Sequence, residues 1–261
     1  MFAVIKRKSL ILGVITAAVL SLLIALTAVS GSYVVAQGKT PRKLPIYCVE
    51  REDGLVSLSF DASWGSDSTE EILSTLKQYN AEANYFVVSL WVNKYPDLLK
   101  KLSDSGIIEL GMHSATHPDM KKLSAKEIEE EILSNRAAIE RVTGIKPSLF
   151  RAPYGSYSDT LMTVAENAGI KVIQWDVDSL DWKNLSSGEI AARVLNNVKS
   201  GSIILLHNDG LNTAKALPVI LEGLLNKGLK PVKISRLIYE DNYEIDHTGK
   251  QIPKKSKGVK T

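Results

Sequence analysis

Two histidines stand four residues apart in the run Leu110-Gly111-Met112-His113-Ser114-Ala115-Thr116-His117, where a short apolar stretch hands over to a loop or to the first turn of a helix. Residues four apart share one face of a helical turn, and adjacent imidazoles suit a borderline cation such as zinc. The plainer alternative is a pair of histidines at the surface or at the edge of a core. The chain has only 4 histidines, and a third, His207, closes the apolar run Ser202-Ile203-Ile204-Leu205-Leu206. Other charged residues close other apolar runs. Leu55 to Phe60 alternates, is rich in strand formers and delivers Asp61. Ser148-Leu149-Phe150 leads to Arg151-Ala152-Pro153-Tyr154, and Ile170 to Trp175 leads to Asp176-Val177-Asp178-Ser179-Leu180-Asp181-Trp182. Singly, Asp61 reads as a helix cap, Arg151 as a surface ion-pair partner and Asp181 as a turn former.

Bringing these residues together requires parallel strands, because helical crossovers between parallel strands open all their carboxyl ends on one face. The patterning supplies such elements. Helices are predicted over Thr69 to Tyr79, Tyr95 to Ser103, Lys126 to Val142, Asp159 to Ala168, Gly188 to Val198 and Lys215 to Asn226. Strands are predicted near Tyr85 to Val88, Ile107 to Leu110, Val172 to Trp175, Ile203 to Leu206 and Leu229 to Lys233. Ser124-Ala125-Lys126-Glu127 offers a capping box to the longest helix. About seven β/α repeats fit this alternation.

Phe60-Asp61, His113-Ser114-Ala115-Thr116-His117, Arg151-Ala152-Pro153-Tyr154, Asp178-Ser179-Leu180-Asp181-Trp182 and Leu205-Leu206-His207 resemble, in order, the motifs of the polysaccharide deacetylase domain, carbohydrate esterase family 4. The likeness runs from about Val56 to about Leu237. It is closest to the branch of Gram-positive spore formers, in which an element like Pro45-Ile46-Tyr47 precedes the domain and the first motif reads Phe-Asp-Ala-x-Trp-Gly. The resemblance implies an α/β fold, a distorted (β/α)7 TIM-like barrel. It also exposes a departure: the family pattern calls for a second, metal-binding aspartate directly after the first, and this chain has Ala62 there. Asp67, in the same loop, is the candidate third ligand, with water as the other occupant of that position. Asp67 also suits a helix cap before Ser68-Thr69-Glu70.

By the same resemblance, His113 and His117 hold a divalent metal, expected to be zinc, that acidifies water and polarises an acetyl carbonyl. Asp61 matches the general base, and Arg151 the arginine that orients it and keeps it ionised. His207 matches the general acid, and Asp181 the carboxylate that raises and orients that imidazole. Tyr154 sits where the family offers a backbone N–H to the oxyanion. Trp182 and Leu205 match residues walling the acetyl pocket, although simple core packing explains them equally well.

Composition places this domain behind an anchor. With 44% hydrophobic and 23% charged residues, the chain can bury one large core. Lys6-Arg7-Lys8 precedes an apolar stretch from Ser9 to Val29, long enough to cross a bilayer with the basic flank inside. The rival reading is a signal peptide cleaved before Gln37, which would release a secreted protein; the stretch exceeds the usual signal-peptide core of about 7–15 residues. The expected organisation is therefore 1–36 basic flank and transmembrane helix, 37–54 linker, 55–240 deacetylase domain and 241–261 basic tail. A single cysteine, Cys48, excludes an intramolecular disulfide. A net charge of +3, with much of the excess in the two ends, implies no nucleic-acid partner. The expected activity is N-deacetylation of an N-acetylated glycan such as peptidoglycan by a single-pass membrane protein of a spore-forming cell, with its catalytic domain extracytoplasmic. The rival class is a glycan-binding wall factor without turnover. A zinc protease is set aside, because the glutamate of His-Glu-x-x-His is missing.

Overall fold

Strand and helix alternate through the chain in the computed structural model, which describes Thr16 and residues 42–254. The strands are β1 (Cys48–Val49), β2 (Leu55–Ala62), β3 (Ala83–Val87), β4 (Ile108–Met112), β5 (Leu149–Phe150), β6 (Lys171–Val172), β7 (Val177–Asp178), β8 (Ile203–His207), β9 (Lys230–Pro231), β10 (Tyr243–Ile245) and β11 (Lys250–Pro253). The helices are α1 (Thr69–Gln78), α2 (Ser89–Lys94), α3 (Pro96–Asp104), α4 (Ala125–Thr143), α5 (Asp159–Asn167), α6 (Ser187–Asn197), α7 (Thr213–Asn226) and α8 (Ile234–Leu237). A parallel sheet runs in the order β6-β5-β4-β3-β2-β8-β7, with β9 added on β2. It curls into an α/β half-barrel, the distorted form of a (β/α)7 barrel.

The alternation along β2 now has its cause. Val56, Leu58 and Phe60 lie in the large cluster that also holds Leu73 and Leu76 of α1 and Leu217 and Leu221 of α7. Ser57, Ser59 and Asp61 are equally buried, but on the polar inner side. The polar face of this strand therefore looks into the barrel, where each group needs a partner. Ser57 Oγ pairs with Asn84 Oδ1 at 3.3 Å, and Ser59 Oγ donates to the Ile204 carbonyl at 2.7 Å. On α4 the predicted capping box forms between Ser124 and Glu127, and the helix ends at Gly144 with φ 74°.

Several expectations need correction. Val172 to Trp175 is not a full strand: β6 stops at Val172, because once Ile173 N has donated to the Phe150 carbonyl at 2.8 Å the chain leaves β5 and turns to the N-terminal segment. Gln174 N donates to the Ile46 carbonyl at 2.7 Å, and Ile46 bridges Ile173. Leu229 to Lys233 shrinks to Lys230–Pro231: Lys230 N and Val232 N donate to the Gly54 and Val56 carbonyls, both at 2.8 Å, before the chain turns into α8 at Ile234. The linker over 37–54 and the tail over 241–261 are not structureless throughout. β1 pairs parallel with β11 and β10 pairs antiparallel with β11 in a small separate sheet. Composition concealed this because lysines on a short exposed hairpin read like a solvated tail. Apart from Thr16, the stretch Ser9 to Val29 lies outside the described residues, as does the chain beyond Lys254. Among the described residues no helix is long and apolar enough to cross a membrane.

Candidate active site

The sheet register assembles the site. Asp61 and His207 are direct partners across β2 and β8, both at the carboxyl ends of their strands. Met112 and Phe150 are partners across β4 and β5, so the residues that follow them, His113 and Arg151, leave the sheet side by side. These segments line one cavity of about 710 Å³, whose walls include Asp61, His113, His117, Tyr154, Asp181, Trp182, Leu205 and His207. The structure therefore brings together every predicted site residue except Arg151, which lies beneath the cavity, and Asp67, which lies elsewhere.

Arg151 is fully buried. Its Nη1 donates to Asp61 Oδ1 at 2.8 Å, and its Nη2 donates to Ser59 Oγ at 2.8 Å and to the Gln174 carbonyl at 3.2 Å. The guanidinium lies 4.2 Å from the centre of the Phe86 ring. Gly111 allows this, since a Cβ there would come within 2.5 Å of that ring. Burial by itself pushes the Asp61 carboxyl up, but the charge of Arg151, followed by those of His113 and His207, holds it below the ordinary carboxylate value. Asp61 is thus an ionised carboxylate at the cavity floor.

His113 and His117 do not sit on a helix. They end an irregular loop in which Ser114 (φ 75°) and His117 (φ 64°) take left-handed backbone. Glu131 on α4 holds this loop by accepting from Ala115 N at 2.8 Å and Thr116 N at 2.9 Å. Asn135, one turn further along α4, accepts from His113 N at 2.9 Å. The loop still brings the two rings to 5.0 Å between centroids. His113 Nδ1 is 2.8 Å from the Arg151 carbonyl, which can only accept. Nδ1 therefore carries the proton, and Nε2 turns its lone pair toward the cavity, 3.5 Å from Asp61 Oδ2. Desolvation, the larger cause, depresses both imidazoles, His117 to about 4 with His113 as the second cause. Both are neutral near pH 7, the form that ligates.

On the opposite wall, His207 Nδ1 lies 2.7 Å from Asp181 Oδ1. The fully buried Asp181 also accepts at Oδ2 from His207 N at 2.7 Å and from Thr213 Oγ1 at 2.6 Å. Burial pulls the His207 imidazole down, but the hydrogen bond and charge of Asp181, with Asp61 and Asp209 behind them, raise it above the ordinary histidine value. Both carboxylates line the cavity, but Asp181 gives both its oxygens to His207 and Thr213, whereas Arg151 holds Asp61 at Oδ1.

Tyr154 and Trp182 stand exposed at the rim, and Leu205 is buried in the wall. Sequence reasoning overlooked Asn135, Thr213, Asp209 and Leu211. Asn135 had a signal, a polar residue on the apolar stripe Ile128, Ile132, Ile139 of α4.

Asp67 is not among the residues that line the cavity. It lines a separate surface cleft with Ser66, Glu70, Asp97, Leu98 and Lys101. It does not cap α1 either, whose N-cap is Ser68. Among the described residues no group of three His, Cys, Asp or Glu side chains is placed to hold a metal ion. What remains is the His113 lone pair and a His117 Nδ1 that is buried without a hydrogen-bond partner. That donor set fits a divalent ion through two imidazoles, one anionic ligand short of a His-His-Asp site.

Comparison with known proteins places the chain. The profile of the polysaccharide deacetylase family matches residues 49–173. YlxY of Bacillus subtilis is 30% identical over 75% of this chain and 61% of its own length. The peptidoglycan-N-acetylglucosamine deacetylase PgdA of Listeria monocytogenes is 34% identical over 76% of this chain and 42% of its own length. The chain thus spans less than two thirds of these two relatives. The crystal structure of BA3943 from Bacillus anthracis, a CE4 family pseudoenzyme, superimposes with a TM-score of 0.72 at 32% identity, covering 74% of this chain and 68% of that one. A BA3943 mutant with restored enzymatic activity superimposes with a TM-score of 0.71 at 33% identity, covering 74% and 70%. This protein belongs to the polysaccharide deacetylase family, carbohydrate esterase family 4.

The missing ligand generates a prediction. Calorimetric titration with zinc should show weak binding by the parent, unchanged binding by Asp67→Ala, and at least roughly tenfold tighter binding by Ala62→Asp, since an anionic ligand is added. Loss of metal in Asp67→Ala, or no gain in Ala62→Asp, would contradict this account of the site.

Proposed function

We propose that this protein hydrolyses the acetamide of an N-acetylated cell-wall glycan, peptidoglycan or a close relative. The observation that carries this reading is the pairing of Asp61 with His207. An ionised carboxylate and a readily protonated imidazole stand at matched positions on neighbouring strands, face one cavity, and are each tuned by a separate buried partner. A binding surface has no use for such a pair. Amide hydrolysis does, because water must lose a proton and the departing nitrogen must gain one. In this scheme Asp61 takes a proton from water as its oxygen bonds to the acetyl carbon. The Tyr154 N–H steadies the resulting oxyanion. His207 delivers its proton to the nitrogen as the C–N bond breaks, leaving acetate and a free amino sugar. Arg151 keeps Asp61 ionised, and Asp181 holds His207 charged and oriented. Trp182 and Leu205 wall the space for the acetyl methyl. His113 and His117 would hold a divalent ion, zinc by the character of the donors, which would supply Lewis acidity to the water and the carbonyl. The name of PgdA, a peptidoglycan deacetylase at 34% identity, supports the substrate class.

A second reading rests on Ala62 and on the likeness to the pseudoenzyme BA3943: the cavity binds glycan without turning it over, in assembly of the cell or spore wall. The branch resemblance supports a sporulation role under either reading. One experiment separates the two. Acetate release from purified peptidoglycan with added zinc should be measurable for the parent, raised by Ala62→Asp, and reduced by at least roughly 100-fold in His207→Ala and Asp61→Asn, with glycan affinity retained. Release that is absent in the parent yet present in Ala62→Asp would favour the binding reading; parental rates in either His207→Ala or Asp61→Asn would sink the assigned roles.

The basic flank and apolar stretch from Ser9 to Val29 support a single-pass anchor that holds the domain outside the cell membrane. Fractionation should recover the full-length chain with membranes, its C-terminus open to external protease. A soluble form beginning at Gln37 would replace the anchor by a cleaved signal.

A further inference from the structure

Among the described residues, three aromatic side chains stand out into solvent, and all three line the cavity: Trp64 at 57% exposure, Tyr154 at 72% and Trp182 at 56%. Their backbones are not free to fold them away. Tyr154 sits at φ 58°, and Trp182 lies between Leu180 at φ 52° and Asn184 at φ 56°, conformations that cost energy in any residue but glycine. Trp64 is held differently. The carbonyl of the next residue, Gly65, accepts from Trp91 Nε1 at 2.8 Å and from Asn208 Nδ2 at 2.6 Å. Asn208 is itself tied to Thr69 Oγ1 at 3.1 Å. The loop after β2 thus presents a large apolar ring to water from a clamped backbone, at the expense of the burial it would otherwise gain. Clustered apolar faces of this kind around a cavity mark a binding surface.

Their arrangement indicates what is bound. Trp64 follows β2 and Trp182 follows β7, while β8, which ends in His207, lies between those strands in the sheet. Aromatic residues therefore follow the strands on both sides of the one that ends in His207. The C–H faces of pyranose rings stack on such surfaces, and successive sugars of a chain present them repeatedly. We infer that Trp64 is a sugar platform beyond the acetyl-bearing residue and supplies a share of the cavity's affinity for the successive sugars of a chain. This inference rests on the glycan reading of the cavity. Trp64 is a binding residue here, distinct from the groups that move protons. Its edge contact with His117, 5.6 Å between ring centres, offers the competing role of a brace.

Calorimetry on the zinc-supplemented full-length protein separates these roles without requiring turnover, using N-acetylglucosamine oligomers from monomer to hexamer. Parent affinity should rise with chain length. Trp64→Ala should weaken hexamer binding by roughly tenfold while sparing the monomer and zinc affinity, and Trp64→Phe should recover most of the loss. A variant that loses affinity equally at every length, or loses zinc, would show a brace and overturn the platform. Unchanged hexamer affinity in Trp64→Ala would also overturn it. If the parent binds no oligomer at all, the glycan reading itself fails and the platform with it.

Discussion

A buried ion pair organises this molecule. Arg151 and Asp61 meet at 2.8 Å, with the guanidinium fully enclosed, and removing one partner of such a pair leaves an uncompensated charge in the interior. The interior of the half-barrel is built around that demand. Ser59 and the Gln174 carbonyl take the remaining guanidinium protons on Nη2, Phe86 lies beneath its face, and Gly111 leaves room for the ring. The same residue reaches the other wall through its backbone, where its carbonyl fixes the tautomer of His113. One arginine therefore sets both the charge of the carboxylate and the direction of an imidazole lone pair.

Two aspartates at the ends of two strands have opposite fates, decided by their surroundings. Asp61 keeps an oxygen at the cavity because its partner approaches from below. Asp181 is saturated by His207 and Thr213, and only glycine fits at position 210, where a Cβ would come within 2.2 Å of Thr213 Oγ1 and 3.0 Å of Asp181 Oδ2. Asp181 raises the imidazole of His207, which lines the cavity beside it. Around this pair the loops hold Ser114, His117, Tyr154 and Leu180 in left-handed backbone, as expected where function rather than local stability selects the backbone. Ala62, buried in the apolar cluster at the end of β2, offers no oxygen at the position where the family pattern places a second aspartate.

Much of this was legible in the sequence because short strands deliver one informative residue each at their carboxyl ends. Asp61, His113, Arg151, Asp181 and His207 could be read from motif and order. Their convergence followed from parallel β/α alternation. What stayed hidden depends on contacts between distant segments. The pairing of β1 with β11 leaves no periodic trace in strands of two and four residues. The left-handed loop from Ser114 to His117 mimics helical spacing. Asp67 looked available to a metal by proximity along the chain, but the loop carries it to another cleft. Trp64 was visible as part of a motif, while its exposure was not.

Catalysis by this pair requires an ionised Asp61 and a protonated His207 to coexist in one cavity near neutral pH. The pH profile of kcat/KM for acetate release, measured on peptidoglycan at saturating zinc, tests it directly. Asp61 is held below its ordinary value, so activity should fall on the acid side only well below neutrality. His207 is raised, so activity should persist above the ordinary histidine pKa of about 6.5 and be lost as pH climbs through the raised value. Asp181→Asn should move that alkaline limb to lower pH. A rate that instead rises as His207 loses its proton, or an alkaline limb indifferent to Asp181→Asn, would contradict the account.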